Sequence, residues 1–281
     1  MKKIIHIPCL AAIIALLMIP MAMTKAQSLK VMTYNIRYDT PADSVNQWGK
    51  RTDRVYALIQ KYDPDILGVQ EAVHNQVTDL ATHLNGYSYI GVGRDDGKTK
   101  GEYSALFYKK GKLSVVREGT FWLSPTPTVV GSKGWDAAIT RVATWAVMND
   151  KLTGKNFFVL NTHFDHMGKE ARLQSANIIK KQAHDLAGAL PVIVTGDLNC
   201  TREEPPYTAL MNKEDLHLYD PAPSPAPGTF CTFKVNTIVC RPIDYILHTS
   251  EWKASGYQVI TDNNGKYYPS DHLPVLVELT R

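Results

Sequence analysis

The sequence has no visible internal repeat and no low-complexity block. It also lacks any Cys–His cluster with the spacing of a structural zinc site, and it shows no sustained alternation of aromatic and basic residues, the mark of an extended nucleic-acid groove. Basic and acidic residues nearly balance at 31 and 27, and 44% of the 281 residues are apolar. Such a composition excludes wholesale disorder, collagen, a coiled coil and a multi-span membrane protein. The length admits one large α/β or all-β domain, or two modest ones.

What is present begins with an export signal. Lys2 and Lys3 precede an almost uninterrupted apolar run over 4–22, and Thr24-Lys25-Ala26-Gln27 follows. A charged start, an apolar stretch and a small residue at a cut site predict a signal peptide over 1–26, cleaved after Ala26. No charge cluster stops the run, and Pro8 and Pro20 interrupt it, so no stable membrane span is expected after processing. Cys9 does not stand at the cut site, so lipidation is not expected. The mature chain, 27–281, is then periplasmic or extracellular. Its formal charge is smaller than the whole-chain value of +4. Removing three lysines and no acid leaves 28 basic against 27 acidic residues, so most of the basicity belongs to the signal. Three cysteines remain, and an odd count leaves one unpaired. Cys231 and Cys240 flank a segment of hairpin length and are candidates for a disulfide, with two buried small hydrophobes as the alternative. Cys200 has no partner for nucleophilic chemistry.

Short apolar runs rich in Val and Ile predict buried strands at 29–34, 66–70, 157–162, 191–195, 243–247 and 275–279. Helical spacing marks 53–62 and 168–186. The four-proline stretch from Tyr219 to Thr229 reads as a stiff surface loop. Too few residues follow it for a second domain, so 27–281 reads as one domain and a monomer. Trp48, Trp122, Trp135 and Trp145 read as packing residues, with Trp122 and Trp135 alternatively shaping a substrate rim.

The strand ends carry the chemistry. Asn35, Glu71, His163, Asp197, Asn199, Asp244, Asp271 and His272 each stand at or beside the end of an apolar run. Carboxylate and amide oxygens suit Mg²⁺, Mn²⁺ or Ca²⁺. Imidazoles among carboxylates suit proton transfer and stabilisation of a charged phosphoryl group. Asp197 and Asn199 are two apart, on one side of extended backbone. Asp244 is a candidate to orient the imidazole of His272.

Thr33-Tyr34-Asn35, Val69-Gln70-Glu71, Asn161-Thr162-His163, Gly196-Asp197-Leu198-Asn199, Ile243-Asp244-Tyr245 and Ser270-Asp271-His272 together resemble the ordered signature of the endonuclease/exonuclease/phosphatase superfamily, in particular a secreted bacterial branch. The resemblance covers nearly all the mature chain. It implies a four-layered α/β sandwich, two packed and mostly antiparallel β-sheets flanked by helices. It also implies a Mg²⁺- or Mn²⁺-dependent hydrolase of phosphodiesters or phosphomonoesters that works by in-line attack of an activated water. Carried over residue by residue, Glu71 is the principal metal ligand, with Asn35 and Asp271 assisting. Asp197 activates the water, Asn199 holds water and phosphate, and Asp244 orients His272, which stabilises the pentacovalent phosphate. His163 contacts phosphate and protonates the leaving oxygen, and Glu102 pairs with that histidine. Arg37 departs from the carboxylate found there in apurinic endonucleases. Arg37 and Arg141 are candidate phosphate clamps, or else structural ion pairs.

Two other classes compete. His163-Phe164-Asp165-His166 approaches a metallo-β-lactamase-type zinc motif, but Asn161 stands where its first histidine belongs, leaving Asp165 and His166 as rim residues. A non-catalytic phosphate-binding module would require loss of part of the hydrolytic set, and none of it is replaced. Within the enzyme reading the partner is a phosphate ester, whether small molecule, lipid head group or nucleic acid. Scattered lysine pairs argue against certainty for a secreted nuclease on DNA or RNA.

Overall fold

The computed structural model describes residues 26–281 except Ile238. The signal peptide expected over 1–26 therefore lies, but for Ala26, outside the described residues. In chain order the elements are β1 (Ser28–Asn35), α1 (Thr52–Tyr62), β2 (Ile66–Ala72), α2 (His74–His83), β3 (Tyr87–Ile90), β4 (Tyr103–Lys109), β5 (Leu113–Trp122), β6 (Val142–Asp150), β7 (Asn156–His163), α3 (Lys169–Ala187), β8 (Val192–Asp197), α4 (Pro205–Met211), β9 (Asp244–His248), β10 (Lys253–Val259) and β11 (Val275–Thr280).

The strands form a six-stranded sheet, β10-β11-β1-β2-β4-β3, and a five-stranded sheet, β5-β6-β7-β8-β9. Only β1–β2 and β7–β8 pair in parallel. Both sheets are thus mostly antiparallel, as the sequence implied. Helices α1 and α2 cover the outer face of the first sheet through Val55, Leu58, Ile59, Val77 and Leu80. Helix α3 and the short α4 cover the second through Ala176, Ile179, Ala183 and Leu210. The layers run helix, sheet, sheet, helix.

Central strands bury both faces, which is why they read as unbroken apolar runs rather than alternating ones. On β7, Phe157 and Val159 point between the sheets while Phe158 and Leu160 point toward α3. On β1, Leu29 and Val31 point between the sheets while Met32 and Tyr34 point toward the helices. A strand's side chains repeat every two residues. Continued to the strand ends, the inward row of β1 arrives at Thr33 and Asn35, that of β7 at Asn161 and His163, and that of β8 at Thr195 and Asp197. The slot between the sheets is apolar in its depth and polar at one edge.

Short of that edge, a buried polar clamp joins the sheets. The Asn161 amide donates to the carbonyls of Val69 and Ala105 at 2.9 Å each. Its oxygen accepts from Gln70 at 2.6 Å and from the Thr195 hydroxyl at 3.1 Å. Gly68 makes room for this contact, since a Cβ there would lie 2.7 Å from Asn161 Oδ1 and closer still to Thr195 Oγ1. Gly68→Ala is therefore expected to destabilise the chain by about 1–3 kcal/mol through overpacking. Urea denaturation would show it as a lower midpoint at unchanged slope, and an unchanged midpoint would mean that the sheets part freely at this point.

Candidate functional site

Each expected side chain reaches the polar edge for a local reason. Asn35, His163 and Asp197 end inward rows of β1, β7 and β8. Asp244 opens β9 on the row of inward-facing Ile246. Glu71 is the exception. By alternation it belongs with Leu67 and Val69, which face the helices. The β2–β4 register slips between Val69 and Ala72, and Glu71 takes φ 64°. The bulge turns its carboxylate back into the slot. Arg37 at φ 59° and Asn199 at φ 47° are also left-handed, so three residues lining one pocket hold backbone conformations that side chains disfavour.

The pocket occupies about 420 Å³, and its lining includes Glu71, Glu102, Arg141, His163, Asp197, Asn199, Asp271 and His272. At its floor the Asn35 amide donates to Glu71 Oε1 at 3.0 Å and to Asp197 Oδ2 at 2.9 Å. Ligand atoms of Glu71, Asp197 and His272 lie within 4.8 Å of one another. His272 Nδ1 donates to Asp244 Oδ2 at 2.9 Å. Asp197 Oδ1 accepts the backbone N–H of Asn199, also at 2.9 Å. Asn199 Nδ2 lies 3.0 Å from His163 Nε2 and donates to the Phe164 carbonyl.

The electrostatics separate groups of like type. Burial and the adjacent Asp244 carboxylate push Asp197 up to about 7. Burial opposes the charge of Glu71 too, but His272, Asn35 and Arg37 outweigh it and hold Glu71 below the usual range. Burial also works against a charged His272, yet the Asp244 and Asp197 carboxylates hold it well above the histidine range. His163 goes the other way, because burial and the nearby Arg141 and Arg94 guanidiniums keep it neutral.

Several expectations need correction. Asn35 Oδ1 accepts the backbone N–H of Arg37 at 3.0 Å, which leaves it a second lone pair. Its N–H groups bridge the carboxylates of Glu71 and Asp197. Asp271 stands outside the tight cluster and faces Arg37 at 3.9 Å. Glu102 does not pair with His163. Its carboxylate is taken by Arg94 at 2.6 Å, with Arg141 at 3.8 Å, because two guanidiniums attract it more strongly than a neutral ring. His163 Nδ1 is left buried without a partner.

Both arginines border the pocket and are ion-paired as well. Arg37 forks onto Asp43 at 3.0 and 3.1 Å and stands 3.9 Å from Glu71. Arg141 is 5% exposed, with Asp165 at 3.9 Å and His166 Nδ1 at 3.3 Å. His166 lines the pocket, whereas Asp165 is buried and caps the Met167 and Gly168 backbone. Trp122 donates its indole N–H to the Arg94 carbonyl, and neither Trp122 nor Trp135 borders the pocket. Sequence reasoning missed Arg94, Phe230 and Arg241. Arg94 sits in an irregular loop with no periodicity to mark it, and the other two flank the cysteines.

A two-sheet sandwich that gathers carboxylates, amides and two differently charged imidazoles at one edge defines a hydrolytic scaffold for phosphate esters. The chain belongs to the Endonuclease/Exonuclease/phosphatase family, whose model matches residues 32–272. It is similar to a solved family member from Bacteroides vulgatus, 42% identical over 90% of this chain and 98% of that one, with a TM-score of 0.83. A mannosyl-6-phosphatase from Bacteroides thetaiotaomicron is 39% identical over 89% of this chain and 99% of that one, also at 0.83. An uncharacterised mimivirus protein is 26% identical over 89% of this chain and 99% of its own length. Members of the family are hydrolases acting on phosphoesters.

The Asp244–His272 pair makes a prediction for the metal-chelated protein. The His272 imidazole should titrate well above an ordinary histidine by NMR, and Asp244→Asn should bring it down. Because folding raises this group, the stability it confers is fully present below about pH 6.5 and is lost as pH climbs through the folded value. The variant should lack that pH-dependent component. An unmoved His272 signal would show that Asp244 does not hold the charge.

Proposed function

We propose that the chain is an exported, divalent-metal-dependent phosphoesterase that hydrolyses a small phosphate ester by direct attack of water. The observation that carries this reading is the floor of the pocket, where Glu71, Asp197 and His272 converge within 4.8 Å around the Asn35 amide. Similarity to a mannosyl-6-phosphatase favours a sugar phosphate among the small esters. The signal-like segment over 1–26 supports export, and among the described residues no helix is long and apolar enough to cross a membrane.

The donor set fits a hard cation. Glu71, kept ionised, and Asp197 offer oxygens suited to Mg²⁺ or Mn²⁺, with Ca²⁺ as an alternative. His272 is held protonated by Asp244, so it is a hydrogen-bond donor there rather than a ligand. When bound, the cation neutralises phosphate charge and stabilises the leaving alkoxide.

The side chains supply the rest. Asp197, near neutrality in its proton affinity, takes a proton from the attacking water. The backbone N–H of Asn199 fixes the carboxylate that does so. The His272 Nε2–H donates to a phosphoryl oxygen as negative charge grows there. Arg37, forked onto Asp43, and the buried guanidinium of Arg141 hold further oxygens. The new oxygen bond forms on the face opposite the leaving group, so no covalent enzyme intermediate arises. A pocket of about 420 Å³ suits a small ester better than the long basic groove of a nuclease.

Glu71→Gln and Asp197→Asn should each lower kcat by about 10²–10⁴ on small phosphate esters. Chelation should abolish turnover, and Mg²⁺ or Mn²⁺ should restore it. Activity indifferent to both chelator and Glu71→Gln would overturn the reading in favour of a phosphate-binding module.

A further inference from the structure

One wall of the pocket is built by a segment that the hydrolytic chemistry does not use. Cys231 and Cys240 are joined by a disulfide. The residues immediately outside them, Phe230 and Arg241, both line the pocket. They face each other as a backbone pair, with Phe230 N–H to the Arg241 carbonyl at 2.9 Å and the reverse bond at 3.0 Å. The disulfide thus closes a small hairpin whose neck opens onto the site.

The hairpin is fastened on two sides. The Thr229 hydroxyl accepts the backbone N–H groups of Ile243 at 3.1 Å and Asp244 at 3.2 Å. Cys231 N–H donates to the Asp271 carbonyl at 2.9 Å, and Leu273 N–H to the Thr229 carbonyl at 2.7 Å. The Phe230 ring packs against the His272 imidazole at 4.9 Å between centroids. Phe230 is half-buried and borders the pocket. Arg241 is 58% exposed in its side chain, with one loose ion pair to Glu204 at 3.6 Å.

The floor and the Arg141 end carry charges suited to phosphate. The Phe230 and Arg241 wall differs, pairing an apolar aromatic face with an uncommitted fork of N–H donors. An aromatic face takes the C–H side of a hydroxylated ring, and a guanidinium donates to its hydroxyls. We infer that Phe230 and Arg241 form the leaving-group subsite, which takes the hydroxylated ring of a sugar phosphate, and that the Cys231–Cys240 disulfide fixes their spacing. The inference rests on the phosphoesterase reading and assigns that site's specificity.

Binding tests it apart from turnover. In an Asp197→Asn background with Mg²⁺, which slows cleavage by about 10²–10⁴, calorimetry would compare hexose 6-phosphate with methyl phosphate. The hexose ester should bind at least about tenfold tighter. Adding Arg241→Met, Phe230→Ala or the Cys231→Ser/Cys240→Ser pair should remove most of that difference while methyl phosphate binding stays within about threefold. Arg241 is exposed, so its variant remains informative if the cysteine pair fails to fold. Equal affinity for the two esters, no binding of either, or variants that weaken both alike would overturn the inference. Failure of the wild type to turn over any ester, with the binding preference intact, would instead sink the phosphoesterase reading.

Discussion

The Asn161 amide holds the geometry on which the rest depends. It lies fully buried between the sheets and reaches from β7 to two carbonyls on β2 and β4. Val69 and Ala105 are the last regular pair before the β2–β4 register slips. By taking up their carbonyls, Asn161 braces the strand where it bulges, and the bulge turns Glu71 inward. A buried amide of this kind is costly unless fully bonded, and here both its oxygen and its N–H groups are engaged. Gly68 and Thr195 are fitted to it, the one by having no side chain and the other by its hydroxyl.

That frame lets two pairs of like groups do different work. His163 and His272 share one pocket, yet burial and guanidiniums keep the first neutral while carboxylates, against burial, keep the second charged. Glu71 and Asp197 share the Asn35 amide, yet one stays readily ionised and the other is pushed up to about 7. Environments that drive like groups apart allow one site to hold both a proton acceptor and a proton-bearing donor. The proposed chemistry uses that division, with Asp197 receiving a proton while His272 keeps one.

Much of this was legible in the sequence because two-faced burial leaves a strong trace. Apolar runs located six buried strands, and the polar residue at the end of each run located most of the pocket. The edge strands β3, β5 and β10 bury few residues and left little pattern. Helices α2 and α4 are short. Roles were less legible than places. Asn35 and Asp271 have the right chemistry for metal ligands, but the first also bridges two carboxylates through its N–H groups and the second faces Arg37, neither of which spacing reveals. Glu102 depended on Arg94, which comes from a loop, and no spacing rule predicts which cation reaches a carboxylate first. The tie between β7 and the first sheet was hidden because an amide inside a motif reads as chemistry rather than structure.

The charge balance bears on how such a site selects its substrate. A chain with 31 basic against 27 acidic residues generates little long-range field, so steering of an anion must come from groups near the pocket. Arg37, Arg141 and Arg241 all border it, but they are not equivalent. Asp43 anchors Arg37 through a fork, and burial close to Glu102 and Asp165 holds Arg141 in place, so neighbouring carboxylates temper the charge of both. Arg241 is exposed and only loosely paired, free to adapt to what lies beyond the phosphate. Rigid cations suit the constant part of an ester and an adaptable one suits the variable part. The disulfide beside Arg241 restrains the backbone of the wall while leaving its guanidinium exposed.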